Sequence, residues 1–225
     1  EDMQLNGRVV NRLVAVKDVV GDFVIERQGD RLGLILFGEK AYLQTPLTFD
    51  RKTMHTLLYE AQLGFAGQGT AIGDAIGLSV KRLKNQSSVS SAKPSNSKVI
   101  ILLTDGENTA GEVEPLQAAK LAEKIGAKIY TVGIGADEMI VRGFFGNRRV
   151  NPSASLDEET LTAIADTTGG LYFRARNTQE LNNIYSELDK LEPTEKEPEW
   201  LRPVQSLFMW PLGFALAFSL ALAAI

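Results

Sequence analysis

The stretch Lys98–Asn108, KVIILLTDGEN, constrains the fold of this chain more than any other. A continuous run of Val, Ile and Leu stops abruptly at Thr104-Asp105-Gly106. Strands covered on both faces read as unbroken apolar runs, and such strands belong to parallel sheets flanked by helices. In open α/β sheets, ligands sit just beyond the carboxyl ends of the strands. Asp105 therefore stands where a carboxylate can take part in chemistry or hold a metal. Gly106 lets the backbone turn sharply behind it.

The rest of the chain alternates in the same style. Leu13, Val16, Val20 and Phe23 recur at helical spacing and predict a helix over 8–28, closed by Gly29-Asp30. The segment 31–37, RLGLILF, reads as a buried strand. A turn at Gly38-Glu39-Lys40 leads to an alternating edge strand over 41–47 that contains Pro46. A hairpin joining these two strands is antiparallel. Asp50 suits the N-cap of a helix reaching about residue 63. After the glycine-rich loop 64–69, Ile72, Ala75, Ile76, Ser79, Val80 and Leu83 outline an amphipathic helix. Residues 85–97 are Ser-rich and polar, as a solvated loop is. Pro115 opens a helix that Gly126 closes. A buried strand over 128–132 runs into Gly133-Ile134-Gly135. The long loop 136–155 follows. Ser155 and Glu158 fit a capping box for a helix over 156–168, a short strand spans 171–174, and Asn177 with Glu180 opens a last helix lined by Leu181, Ile184, Leu188 and Leu191. The alternation predicts an α/β fold with a doubly wound, mostly parallel sheet and one antiparallel edge strand. Such folds begin on a strand, whereas the first helical pattern here starts almost at residue 1. The first strand is therefore expected to be missing, and the domain over 1–191 to be truncated at its amino end.

Composition excludes several function classes. The net charge of −4 and the lack of a basic stripe argue against a nucleic-acid partner. With no cysteine, the chain has no disulfide and no thiolate metal site. The single histidine, His55, lies in a helical pattern, where packing or surface exposure accounts for it. At the other end, 192–206 is a Pro/Glu-rich linker. The final run 207–225, LFMWPLGFALAFSLALAAI, has no charge over about 19 residues, enough to span a bilayer. Trp200 and Trp210 stand near its entrance, as interfacial aromatics do. The expectation is a transmembrane helix that continues past residue 225. Acidic and basic residues alternate before it, so its orientation is not set by charge.

Two motifs converge on one face of such a sheet. One is Thr70-Ala71-Ile72-Gly73-Asp74, with a threonine at the entrance of a helix. The other is Thr104-Asp105-Gly106. Taken singly, the first also reads as an N-cap and the second as a simple turn. Taken together, a hydroxyl and a carboxylate from separate loops suit Mg²⁺, which prefers hard oxygen ligands and keeps several waters. Asp74, one turn into its helix, suits the positive helix end and stays outside the ligand set. Glu107 and Asn108 are read as shaping the loop.

These motifs resemble the second and third parts of the metal-ion-dependent adhesion site of von Willebrand factor A (VWA) domains. Within that superfamily the chain resembles the BatA-like membrane proteins of bacteria. The likeness runs through GDRLGLILFGEKAYLQTPLT at 29–48, GTAIGDAIGLSVKRL at 69–83, VIILLTDGEN at 99–108, VGIGADE at 132–138 and LDEETLTAIADTTGGLYFRA at 156–175. The resemblance implies that Thr70 contacts a divalent ion (Mg²⁺, or Mn²⁺ or Ca²⁺) through its hydroxyl, and that Asp105 does so directly or through water. The family's first motif, Asp-x-Ser-x-Ser, does not occur in this sequence, so the ion site is incomplete in this chain. The implied function is non-enzymatic: protein–protein adhesion in which a partner's carboxylate completes the metal shell. Bat-family proteins and MoxR-type AAA+ ATPases are the implied partners. The implied location is the bacterial inner membrane, with the VWA domain on the periplasmic side. Phe144, Phe145, Arg148 and Arg149, in the loop on the same face, are candidates for the partner-binding surface, because aromatic and Arg side chains dominate binding hot spots.

Two other classes stay open. Mg²⁺-dependent phosphoryl transfer through Asp105 needs further groups, commonly a Lys near a later strand end, yet Lys128 stands at the wrong end of its strand. Gly133-x-Gly135 lacks the third glycine of a dinucleotide fingerprint. A metal-independent envelope scaffold is the remaining alternative.

Overall fold

A computed structural model describes residues 3–5, 8–87, 97–137, 139–143, 146–151 and 153–193, together with Leu212, Gly213, Ser219 and Leu222. Residues 1–195 form one compact unit and 196–225 a second. In the second unit the four described residues are helical. The remainder of the apolar run 207–225 and most of the linker 192–206 lie outside the described residues. Among the described residues no helix is long and apolar enough to cross a membrane.

The first unit begins with two short strands, β1 (Met3–Leu5) and β2 (Arg8–Val10), paired antiparallel. Helix α1 (Arg12–Glu26) follows. The apolar spacing predicted its helix from residue 8. The chain is instead extended to Val10, because the Asn11 side chain accepts a hydrogen bond from Leu13 N and fixes the helix start there. Strands β3 (Leu32–Phe37) and β4 (Ala41–Thr48) form the expected antiparallel hairpin. Helix α2 (Arg51–Glu60) is capped by Asp50, which accepts from Thr53 N. It stops short of residue 63. Lys17 of α1 donates to the Tyr59 and Ala61 carbonyls at 2.8 and 2.5 Å, closing the helix end through a tertiary contact. His55 stacks on Tyr59, its ring centroid 4.6 Å away, and so has the packing role expected of it.

Helix α3 (Ile72–Ser87), strand β5 (Lys98–Thr104), helix α4 (Pro115–Lys124) and strand β6 (Ala127–Ile134) form the centre. A hairpin of β7 (Met139–Gly143) and β8 (Gly146–Val150) occupies much of the segment read as a loop. Helix α5 (Glu158–Thr168), strand β9 (Tyr172–Ala175) and helix α6 (Thr178–Leu191) complete the unit. The α5 cap is Asp157, which accepts from Thr160 N, rather than Ser155. Asn177 caps α6 as expected, accepting from Glu180 N.

The parallel sheet runs β5-β6-β9, and β3–β4 is a separate ladder. The expectation was one continuous sheet. Among the described residues no strand pairs with the outer edge of β5 or with the second edge of β3.

The alternation of side chains along β5 and β6 divides the core in two. Ile100, Leu102 and Ile129 pack with Ile72, Ile76, Ala118, Ala119, Ala122, Leu161 and Ile164 of α3, α4 and α5. On the opposite face Tyr130, Val132 and Ile134 pack with Ala15, Val19, Leu181, Ile184 and Leu188 of α1 and α6. The three alanines of α4 are fully buried, which lets that helix lie close between α3 and α5. Buried Thr131 would be costly unpaired, but its hydroxyl donates to the Leu161 carbonyl at 2.9 Å.

The amino-terminal end of the sheet is closed by charge. Glu192, just past α6, accepts from Lys128 Nζ at 2.6 Å and from the Tyr130 hydroxyl at 2.8 Å. The buried Arg27 donates to the Glu192 carbonyl and pairs with Asp189 at 3.2 Å. Burial opposes ionisation of Glu192, yet the hydrogen bonds from Lys128 and Tyr130 outweigh it and hold the carboxyl below its usual range. Burial, together with Glu192, pushes the Tyr130 hydroxyl up to about 12. A carboxyl depressed in the folded state stabilises above its unfolded pKa, and that stability is lost as pH falls through the folded value. Glu192→Gln is therefore expected to cost about 1–2 kcal/mol at pH 7. It should also flatten the loss of stability between neutral pH and the acid side of the carboxyl range. Urea unfolding of both proteins at pH 7 and pH 4 checks this, and parallel losses in the two would exclude Glu192 as a source of the acid sensitivity.

Candidate metal centre

The site is built where β5 ends. Buried Thr104 is the last strand residue, and its hydroxyl lies 3.3 Å from Gly106 N and 3.2 Å from Gly106 O. This contact closes the turn and projects Asp105 outward, its side chain 59% exposed. The turn packs against the entrance of α3. A Cβ placed on Gly106 would stand 3.8 Å from the Thr70 hydroxyl oxygen. The Thr70 hydroxyl and the turn that carries Asp105 are thus neighbours at the carboxyl end of the sheet.

A seam of hydrogen bonds fixes Thr70 against the loop that follows Asp105. Thr70 N donates to the Thr109 hydroxyl at 3.0 Å, and Thr109 N and Ala110 N donate to the Thr70 carbonyl. Asn108 Oδ1 accepts from Ile72 N at 2.8 Å, satisfying one of the free amides at the start of α3. Asp74 Oδ1 accepts from Glu112 N and Val113 N, at 3.0 and 2.9 Å. Asp74 is thereby committed to the loop. The backbones touch as well: a Cβ on Gly73 would collide with the Val113 carbonyl. Ala71 N donates to the Gly38 carbonyl at 2.7 Å, tying the same entrance to the end of β3.

Several of these residues escaped the sequence reading. Asn108 was read as loop-shaping and proves to be a helix cap. Thr104, Thr109 and Asp74 act through backbone contacts that no local pattern reveals. Arg12, the first residue of α1, carries no local signal of a role at the site. Its Nη1 donates to Asp105 Oδ2 at 2.9 Å. Beside Thr70, the loop 61–70 carries Leu63 and Phe65, 70% and 73% exposed. Glu39, Tyr42, Phe65 and Gly67 line a cleft of about 490 Å³ next to that loop. Of the four candidate partner-binding residues, Phe144 and Phe145 lie outside the described residues. Arg148 and Arg149 fall on β8, across from Val141 and Ile140 of β7.

The donor set has the chemistry of a hard-cation site in part. A neutral hydroxyl and an exposed carboxylate are oxygen ligands of the kind Mg²⁺ or Mn²⁺ accepts. Among the described residues no cluster of three or more His, Cys, Asp or Glu side chains forms a further site.

The sequence profile of the von Willebrand factor type A domain matches residues 6–187. The chain belongs to that family. It is similar to the crystal structure of a conserved hypothetical protein, BatB, from Bacteroides thetaiotaomicron. The two are 27% identical, and the match covers 80% of this chain and 88% of that one with a TM-score of 0.62. An uncharacterised protein of Borreliella burgdorferi is 27% identical over 191 residues, 83% of this chain. The chain spans about half the length of that relative, 54%. Proximal thread matrix protein 1 from the mussel byssus, in a form described as having a zinc-occupied MIDAS motif, is 22% identical. That match covers 83% of this chain and 42% of the other with a TM-score of 0.58, and it shows the shared fold.

Proposed function

We propose that this VWA domain is a membrane-anchored adhesion module of the bacterial envelope whose grip on a protein partner depends on a divalent cation. The observation that carries the reading is the meeting of the Thr70 hydroxyl with the Asp105–Gly106 turn at the carboxyl end of the sheet. A bound Mg²⁺ or Mn²⁺ would supply a Lewis-acidic position able to accept a carboxylate from the partner. Thr70 and Asp105 would hold that ion. Thr104, Asn108 and Thr109 orient the two through the turn and the seam. The set is incomplete, and the remaining ligands would come from outside the described residues.

The surface around the site would suit a protein. Leu63 and Phe65 are exposed in the loop that leads to Thr70, and Phe144, Phe145, Arg148 and Arg149 are the candidates to add to that surface from the segment after β6. Similarity to BatB supports partners of the Bat type, with a MoxR-type ATPase in the same system. The uncharged run 207–225 would anchor the chain in the inner membrane with the domain on the periplasmic side. The chain leaves the domain beside Glu192, at the sheet end opposite Asp105.

Calorimetric titration with MnCl₂ tests the reading. The intact chain is expected to bind one Mn²⁺, and Thr70→Ala and Asp105→Ala are each expected to weaken binding by about tenfold or more. Binding unaltered by either change would defeat it. A metal-independent scaffold is the second reading, and the Arg12–Asp105 ion pair is the observation in its favour.

A further inference from the structure

A cation already sits on the proposed metal ligand. Arg12 Nη1 donates to Asp105 Oδ2 at 2.9 Å. The contact joins the first residue of α1 to the end of β5, 93 positions apart, so the fold creates it. It is also built rather than incidental. The Arg12 side chain is only 19% exposed, and its guanidinium lies over the end of β6. A Cβ on Gly135 would stand 2.9 Å from Nη2. Gly135, at φ 137°, has none and leaves that room.

We infer that Arg12 is an internal counter-ion that competes with the divalent cation for Asp105. The inference rests on the metal-dependent reading above. Without metal, the guanidinium neutralises Asp105 and holds the turn beside Thr70. A divalent ion bound by Asp105 places two like-signed groups on one carboxylate, and their repulsion forces a choice. Arg12 then moves off Asp105, or the ion binds weakly. Arg12 is thus a residue that sets affinity. It keeps the site quiet at low metal concentration and preserves its shape until metal arrives. Coupling runs both ways, so whatever draws Arg12 away raises metal affinity by the factor by which metal weakens the Arg12–Asp105 contact.

The test uses the intact chain with MnCl₂ as the probe. Arg12→Gln keeps much of the side-chain length and removes the charge. It is expected to bind Mn²⁺ about tenfold more tightly than the wild type, because a like charge has been removed from a water-accessible site. In EDTA the same variant should melt below the wild type, and saturating Mn²⁺ should close that gap. Arg12→Lys retains the charge and should stay near wild-type affinity. A merely structural role for Arg12 would lower stability with and without metal and would not tighten binding. If the wild type binds Mn²⁺ and Arg12→Gln binds equally or more weakly, competition is overturned while the metal site stands. If neither binds, metal dependence itself fails and competition with it. A readout that needs no variant to fold is the Arg12 guanidinium NMR signal during MgCl₂ titration of the wild type. Displacement requires it to shift in step with binding, and a stationary signal through saturation refutes the inference.

Discussion

Gly73→Val is expected to destabilise the domain by roughly 3 kcal/mol, lowering Tm by about 10 °C. The reason is backbone against backbone. An ideal Cβ at this position would fall 1.8 Å from the Val113 carbonyl oxygen and 2.6 Å from its carbon. A flexible side chain could swing aside at small cost, but a carbonyl held in a seam cannot. Val113 N is itself bonded to Asp74, one residue along α3, so the loop has little freedom to retreat. The entrance of α3 would have to lift away, taking Thr70 from the Asp105–Gly106 turn. Loss of Mn²⁺ binding should therefore accompany loss of stability, although Gly73 has no ligating atom to lose. Thermal unfolding in EDTA, followed by Mn²⁺ titration at a temperature where the variant is folded, separates the two effects. A variant melting within about 2 °C of the wild type would mean that the close approach at Gly73 constrains nothing.

The parts of this arrangement visible in the sequence are those set by strong local rules. The run before Asp105 is apolar because β5 is covered on both faces, and the strand-end rule then places the carboxylate. Thr70 was legible for the same reason, standing at the mouth of an amphipathic helix that had to pack on that sheet. Hairpin β3–β4 was legible from a glycine turn between two strand-like runs. Boundaries failed where a contact distant in sequence decided them. Helix α2 ends where Lys17 of α1 reaches its carbonyls. The α1 start failed differently, since apolar spacing continues through residues 8–10 although Asn11 caps the helix. Ser155 and Glu158 spell a capping box, but the Asp157 carboxylate, next to the helix, takes the free amide. Hairpin β7–β8 was hidden because Met139–Val150 lacks clean alternation and places a glycine at the inner end of each strand. Arg12 could not have been picked out. Nothing local distinguishes an arginine that will meet Asp105 from one that faces water.

The two poles of the domain follow different logic. At the amino-terminal end of the sheet, Arg27, Lys128 and Tyr130 close on the end of α6. At the carboxyl end, Asp105 is exposed and paired with Arg12, and Leu63 and Phe65, in the loop that leads to Thr70, face solvent. The closing contacts gather at one end of the sheet and the exposed carboxylate stands at the other.

Asp74 provides the sharpest separation of positioning from ligation. Asp74→Ala is expected to cost about 2–3 kcal/mol, because two backbone amides, Glu112 N and Val113 N, lose a charged acceptor in a half-buried seam. The carboxylate also stands in the first turn of α3, where it favours the helix start. With the seam loosened, Asn108 and Thr109 grip the Thr70 segment less firmly, and Mn²⁺ affinity should fall several-fold without being abolished. Asp74→Asn keeps a carbonyl oxygen that can accept from the same amides, so it should recover about half of the lost stability and most of the metal affinity. Urea unfolding and Mn²⁺ titration of the pair decide the matter. If both substitutions abolish Mn²⁺ binding while stability holds, Asp74 is itself a ligand and the seam is incidental. If Asp74→Ala alters neither property, the loop after Asp105 is positioned by Asn108 and Thr109 alone. The expected pattern, a graded loss that follows acceptor strength instead of charge, identifies Asp74 as the residue that keeps Thr70 and Asp105 within reach of one another.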